Sequence, residues 1–208
     1  MGKKQRKYLK IGIYGLVGIG LVVFLYAVIS GDGFSFWPTG KKEVRVVIFH
    51  VNDVHGEIAN FAKIAGVIDR EREKCPNVFF ISAGDNFSGN PYVDQYVPRG
   101  EPILKLLNEI GCDLQVLGNH EFDYGQKILA DYISRAKFKV ICANVLAKNS
   151  VIPQPEPFAV LETQEGLKLA FLGVIQITRA TGIPDSNPEN FKNIVFKDEI
   201  EKFNSTSN

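Results

Sequence analysis

The sequence predicts an α/β protein built around a parallel sheet. Three observations predict it. From position 44 onward, short apolar runs alternate with stretches of helical periodicity, the pattern of strands joined through crossover helices. The first of these runs, "VRVVIFHV" (44–51), is almost continuously apolar and β-branched, as expected of a strand buried on both faces. Three segments then close on Asp, His or Asn beside glycine, in "HVNDVHGEI", "SAGDNFSGNP" and "LGNHEFDYG". Those positions fall at the carboxyl ends of predicted strands, where open parallel sheets gather ligands.

The elements follow in order. Five basic residues (Lys3, Lys4, Arg6, Lys7, Lys10) crowd the head, residues 1–10. Residues 11–31 then carry no charge, and as a helix they would span the roughly 30 Å core of a bilayer. A positive flank before an apolar run predicts a cytoplasmic head with the remainder outside. A cleaved signal peptide competes with an uncleaved anchor; the length of the run favours the anchor. Residues 32–42, rich in Gly and aromatics, read as a tether. The domain proper is expected over 43–208.

Within it, a helix is expected over 58–74, with Ile58, Phe61, Ile64, Ala65 and Ile68 inward. Cys75-Pro76-Asn77 stops it, and "VFFISA" is the second strand. Pro102 opens a helix that Gly111 ends. "LQVL" is the third strand, a helix runs over 126–136, and "KVICANV" is the fourth strand. "FAVLETQEGLKLAFLGVI" reads as a hairpin turning at Glu165-Gly166. From Gln176 the chain reads as loop, interrupted by Pro184 and Pro188. There is no internal repeat.

With 208 residues, 45% of them hydrophobic, the chain can build one domain with one sizeable core. Outside the basic head it holds 19 basic against 23 acidic residues. That balance argues against a body made to grip a nucleic-acid polymer. Three cysteines (Cys75, Cys112, Cys142) in no paired spacing are not a disulfide framework, and all three read as free and structural.

The polar strand ends suggest a metal site. Asp53 and His55 are two apart, so an extended backbone points both side chains the same way. Asp85 ends the second strand, and Asn119 ends the third, followed at once by His120. Carboxylates, an imidazole and an amide oxygen make a mixed N/O set suited to Zn²⁺ or Mn²⁺. A single Asp shared by two ions would hold them about 3.5–4 Å apart, the arrangement for in-line displacement at phosphorus. Each piece alone recurs by chance, and His50, mid-strand, reads as a core histidine. Asn86-Phe87-Ser88 matches a glycosylation acceptor but is discounted beside a metal site. The ordered series DxH, GDN, GNHE is what separates the pattern from coincidence.

These three blocks resemble the first three signature blocks of the calcineurin-like metallophosphoesterases, and more narrowly those of the exported 5′-nucleotidase branch. The likeness covers residues 44–175. It implies a four-layer α/β/β/α sandwich with two divalent ions, Zn²⁺, Mn²⁺ or similar, and a nucleotide or other small phosphoester as substrate. By motif position, Asp53 and His55 would bind one ion, Asp85 would bridge both, and Asn119 would bind the second. His120 would face the phosphate and protonate the leaving oxygen or stabilise charge. Asp123 would orient its imidazole. The nucleophile would be a hydroxide held on the metals.

The resemblance also implies three more metal-binding histidines and a base-binding C-terminal domain. The sequence holds only His50, His55 and His120. Its first ion would then keep three of four protein ligands, and its second two. The expectation is a domain cut short at its C-terminal end: a truncated product, a fragment or a non-catalytic remnant. Within the enzyme class, a 2′,3′-cyclic phosphodiesterase or a nucleotide-sugar hydrolase shares the same blocks.

Overall fold

The computed structural model describes residues 10–16, 22–28, 43–198 and 200. At its centre lies a four-stranded parallel sheet of β3 (Val47–Val51), β4 (Val78–Ser82), β5 (Leu114–Val116) and β6 (Lys139–Ile141). Each strand lies beside its predecessor. Two pairs preceding and following in the chain are β1 (Lys10–Leu16) with β2 (Val22–Val28) and β8 (Phe158–Glu162) with β9 (Lys168–Leu172), both antiparallel. Short strands β7 (Val145–Leu146) and β10 (Val195–Phe196) also pair antiparallel.

Strand alternation explains the two cores. Val47, Phe49 and Val51 on one face of β3 pack with Phe61 and Ile68 of α1 (Phe61–Arg72), and with residues of two later helices. Those helices are α3 (Glu101–Ile110) and α4 (Gln126–Arg135); a single short turn, α2 (Pro91–Asp94), precedes them. The opposite face, with Ile48, Ile81, Leu114 and Ile141, meets Ala159, Leu169 and Phe171 of the β8–β9 hairpin. Both faces of β3 are therefore covered, which its near-continuous apolar run requires. The described residues form a helical layer, the parallel sheet and an antiparallel pair. The expected fourth layer is not among them.

Several local expectations hold. Gly111 ends α3 in the left-handed conformation at φ 74°, its N–H bonded to the Leu107 carbonyl. The hairpin turns at Gly166 (φ 83°), and Asn77 ties its turn to the sheet. There the Asn77 amide donates to the Arg45 carbonyl and the Glu165 carboxylate, and accepts from Gln164 N–H. The first helix starts at Phe61 instead of Ile58, because Glu57 takes the Ala59 N–H at 3.0 Å and holds 57–60 in a turn. All three cysteines are free and buried. Burial pushes the Cys112 and Cys142 thiols up to about 12, so both stay protonated.

Two expectations are corrected. Where residues 11–31 are described they form strands β1 and β2, not a helix. Among the described residues no helix is long and apolar enough to cross a membrane. Gly12, Gly15, Gly18 and Gly20, with a surplus of valine and isoleucine, explain the difference: glycine costs a helix about 1 kcal/mol each, and β-branched residues favour strands. The basic head up to position 9 and the tether at 32–42 lie outside the described residues. The second correction concerns the stretch after Gln176, which is not a free loop. Phe191 and Ile194 are buried, a 3₁₀ turn forms at Pro188–Phe191, and β10 pairs with β7. Buried Asn144 anchors it, bonding both the N–H and the carbonyl of Ile175 and the carbonyl of Lys197.

Candidate metal and phosphate site

The loops after β3 and β4 run side by side beyond the sheet. Ala83 N–H donates to the Val51 carbonyl (2.8 Å), His55 N–H to that of Asp85 (2.9 Å) and Gly56 N–H to that of Asn86 (2.9 Å). The pairing of the sheet thus continues into the segments that carry Asp53, His55 and Asp85. All three residues are forced into the left-handed region, at φ 52°, 47° and 54°, and Ser88 joins them at 49°. Non-glycine residues adopt it rarely, and mostly where the surroundings impose it. The third loop approaches closely enough to exclude a side chain. A Cβ on Gly118 would sit 2.2 Å from Asp85 Oδ1 and 2.8 Å from the Asp85 nitrogen.

Glu121 binds these loops together. It is fully buried, and its carboxylate accepts the N–H groups of Asp85 (2.9 Å), Asn86 (2.7 Å) and Gly118 (2.7 Å). The Asn86 side-chain amide donates to it as well, at 3.3 Å. Burial pushes the carboxyl up to about 7, and the Asp85 charge adds to this, while the N–H donors pull the other way. Sequence reasoning passed over Glu121, although the last letter of GNHE was the available signal: a charge set into an otherwise buried turn. Asn86 is itself fully buried and bonded to Ser82 Oγ–H, so the acceptor-like Asn86-Phe87-Ser88 is closed to glycosylation.

The expected site residues come together in part. Asp53 Oδ1 and His55 Nε2 lie 3.7 Å apart, and the rings of His55 and His120 meet edge to face at 4.5 Å between centroids. Asp85 Oδ1 accepts the His120 main-chain N–H at 2.9 Å. His120 Nδ1 lies 2.7 Å from Asp123 Oδ2. Partial burial alone would lower the His120 pKa. The hydrogen bond and charge of Asp123, with Asp85 and Glu121 behind it, prevail and raise it. Burial likewise works against ionised Asp123, but the Ser186 and Ser88 hydroxyls and the imidazole hold its carboxyl below the usual range. Asn119 turns its amide nitrogen to the Asp185 carbonyl at 2.8 Å, which leaves the amide oxygen as its acceptor. His50 sits within β3 in register with Ile81, one residue before the strand ends at Val51.

The chemistry of these donors fits a divalent ion: Asp53 and His55 offer oxygen and nitrogen within one coordination sphere's reach of each other, with Asp85 on the adjoining loop. Among the described residues, no group of three or more His, Cys, Asp and Glu side chains is gathered tightly enough to hold a metal. The second expected ion would have Asp85 and Asn119 alone. Beside Asn119 opens a cavity of about 500 Å³, lined by Gln176, Thr178, Arg179 and Asp185.

Fold and site together define a protein class. The calcineurin-like phosphoesterase profile matches residues 46–203, and the chain belongs to that family. It is 30% identical over 186 residues to the 5′-nucleotidase of Rattus norvegicus, covering 79% of this chain and 31% of the relative. It is 28% identical over 174 residues to the 2′,3′-cyclic-nucleotide 2′-phosphodiesterase/3′-nucleotidase of Haemophilus influenzae, covering 71% of this chain and 26% of that protein. The structure of a 5′-nucleotidase precursor from Thermus thermophilus superposes with a TM-score of 0.64 at 27% identity, over 77% of this chain and 33% of that one. The chain thus spans a third or less of the length of these relatives. An endonuclease of Bacillus subtilis, YhcR, is also similar, at 26% identity over 206 residues, 84% of this chain and 16% of that protein; the relatives thus include an enzyme acting on nucleic acid.

Proposed function

We propose that the chain forms the front of a metal-dependent phosphoester hydrolase of 5′-nucleotidase type, acting on nucleotides outside the cytoplasm. Calcineurin-like phosphoesterases use divalent metals. The observation that carries the reading is the His120–Asp123 pair, set at 2.7 Å on the loop that adjoins Asp53, His55 and Asp85. The 5′-nucleotidase and cyclic-nucleotide relatives support a nucleotide as the substrate. Action outside the cytoplasm rests on the basic head and the uncharged run after it, a pattern that a cleaved signal peptide shares.

When bound, divalent ions would supply Lewis acidity toward phosphoryl oxygens and acidify water. Asp53 and His55 would hold one ion, Asp85 would reach both, and Asn119 would offer its amide oxygen to the second. The residues of this chain do the rest. Asp123 accepts a hydrogen bond from the Nδ1–H of His120, so Nε2–H remains to donate to a phosphoryl oxygen or the leaving oxygen. The hydrogen bond and charge of Asp123 favour the protonated ring, against the effect of partial burial. Glu121 fixes the spacing of the loops through the main chain, without meeting the substrate.

The test uses the purified protein, stripped with chelator and reloaded with Zn²⁺ or Mn²⁺. Phosphate release from AMP, 3′-AMP formation from 2′,3′-cyclic AMP and UMP formation from UDP-glucose are measured in parallel. Metal-dependent release from a nucleotide supports the reading, and the ratio of rates assigns the branch. No metal-dependent hydrolysis of any of the three would refute it.

A further inference from the structure

Asp123 is held from two sides by hydroxyl groups. Ser88 Oγ–H donates to Oδ2 at 2.5 Å, the same oxygen that faces His120 Nδ1 at 2.7 Å. Ser186 Oγ–H donates to Oδ1 at 2.6 Å. A carboxylate bonded on only one oxygen can rotate about its Cβ–Cγ bond; bonded on both, it presents Oδ2 to the imidazole in a fixed plane. Ser186 arrives from 63 residues away in sequence. Its neighbour Asp185 gives its carbonyl to the Asn119 amide. Consecutive residues of one segment therefore reach the two sides of His120, one at the residue before it and one at its acid partner.

We infer that Ser186 is a positioning residue for His120: with Ser88 it fixes the Asp123 carboxylate in the orientation that receives the imidazole Nδ1–H. The inference rests on the phosphoesterase reading for its effect on rate, and on geometry alone for its effect on the imidazole. Ser186 does not touch the reacting atoms. Its hydroxyl acts through Asp123, and the group at the end of that relay is the His120 proton. Loss of the hydroxyl leaves Oδ1 short of a donor and frees the carboxylate to turn, so His120 loses its fixed orientation without losing its place on the loop.

The experiment compares wild type, Ser186→Ala, Ser186→Thr and Ser88→Ala in the full-length protein loaded with zinc. Two readouts are taken: kcat and KM for the best substrate among AMP, 2′,3′-cyclic AMP and UDP-glucose, and the proton and nitrogen resonances of the His120 ring without substrate. Removal of an outer partner of this kind costs roughly 10-fold or more. The expected result for Ser186→Ala is a kcat lowered about 10-fold with KM and zinc content unchanged. The hydrogen-bonded Nδ1–H resonance should move upfield or broaden. Ser186→Thr, which keeps a hydroxyl, should restore both, and Ser88→Ala should resemble Ser186→Ala. A Ser186→Ala protein with wild-type kcat and an unmoved His120 resonance overturns the inference. So does a variant that loses activity only in step with melting temperature and is not restored by Thr, which would make Ser186 a tether of its loop. Because the ring resonances are read without substrate, an inactive wild type would refute the proposed reaction and still leave the Ser186 contact decided.

Discussion

Replacing Glu121 with Ala tests how much of the site is held together through the main chain. The change removes the acceptor for three backbone N–H groups, those of Asp85, Asn86 and Gly118, in a fully buried place. The Asn86 N–H is buried and the other two are partly so; at about 1 kcal/mol for each partly buried donor left unpaired and about 1–3 for the buried one, the loss is about 3–5 kcal/mol. An opposing effect depends on pH. In the unfolded chain the carboxyl ionises near its ordinary 4.5, and in the folded protein at about 7. Between those values the folded state holds the additional proton. The stability gained from this is complete below about 4.5 and is lost as pH rises through about 7. At ~1.4 kcal/mol per unit, the charged form carries a penalty of about 3 kcal/mol, which Ala relieves. Urea unfolding of metal-free wild type and Glu121→Ala at pH 5 and pH 8 separates the two effects. At pH 5 the variant should be less stable by at least ~3 kcal/mol, roughly 6–12 °C in Tm for a domain of this size. At pH 8 the gap should narrow. A gap under ~1 kcal/mol at pH 5, or one that widens with pH, would refute the reasoning: Glu121 would then not be the fastening between the loops.

Further expectations concern the other groups. Gly118→Ala places a Cβ 2.2 Å from Asp85 Oδ1, so Asp85 must swing away from the His120 N–H; a loss of about 1–3 kcal/mol and weaker zinc binding by calorimetry are expected, and wild-type values for both would show that the loops slide apart freely. In the full-length protein, His120→Ala should cut turnover while leaving metal content nearly unchanged, and Asp85→Ala should lose metal; the reverse pattern, read by elemental analysis beside turnover, would overturn the assigned roles. Asp123→Asn removes the charge that raises the His120 pKa. An NMR titration should therefore find His120 deprotonating at lower pH in the variant, and an unmoved titration would exclude Asp123 as the cause.

The legible parts of the fold were those set by local pattern. The β-branched run at Val47–Val51 needed cover on both faces, and it receives helices on one and the hairpin on the other. Glycine and proline marked the ends of α3. The candidate site was legible as three blocks because each proposed ligand follows a strand directly: Asp53 two residues past β3, Asp85 three past β4, Asn119 three past β5. What the sequence hid was long-range. Ser186 and Asp185 reach Asp123 and Asn119 across more than sixty residues, and nothing near Pro184 has a period that would announce it. Phe191 and the short run Ile194-Val195-Phe196 stand in a polar stretch, and the burial of Phe191 and Ile194 goes with β10 meeting β7. At the other end, hydropathy over 11–31 suggested a helix because length and lack of charge do not weigh glycine against β-branching, and the described backbone there is extended.

The left-handed backbone at Asp53, His55, Asp85 and Ser88 sets the domain's chemistry against its durability. Each such residue carries strain on the order of 1–3 kcal/mol, and glycine at any of the four would release it. A screen for heat resistance alone would therefore favour Asp53→Gly or Asp85→Gly, and on the proposed ligand assignment would return proteins that melt later and bind metal more weakly. The four positions mark where a stabilised form of this protein must be left untouched, with added stability drawn from the helices and hairpin on the far sides of the sheet.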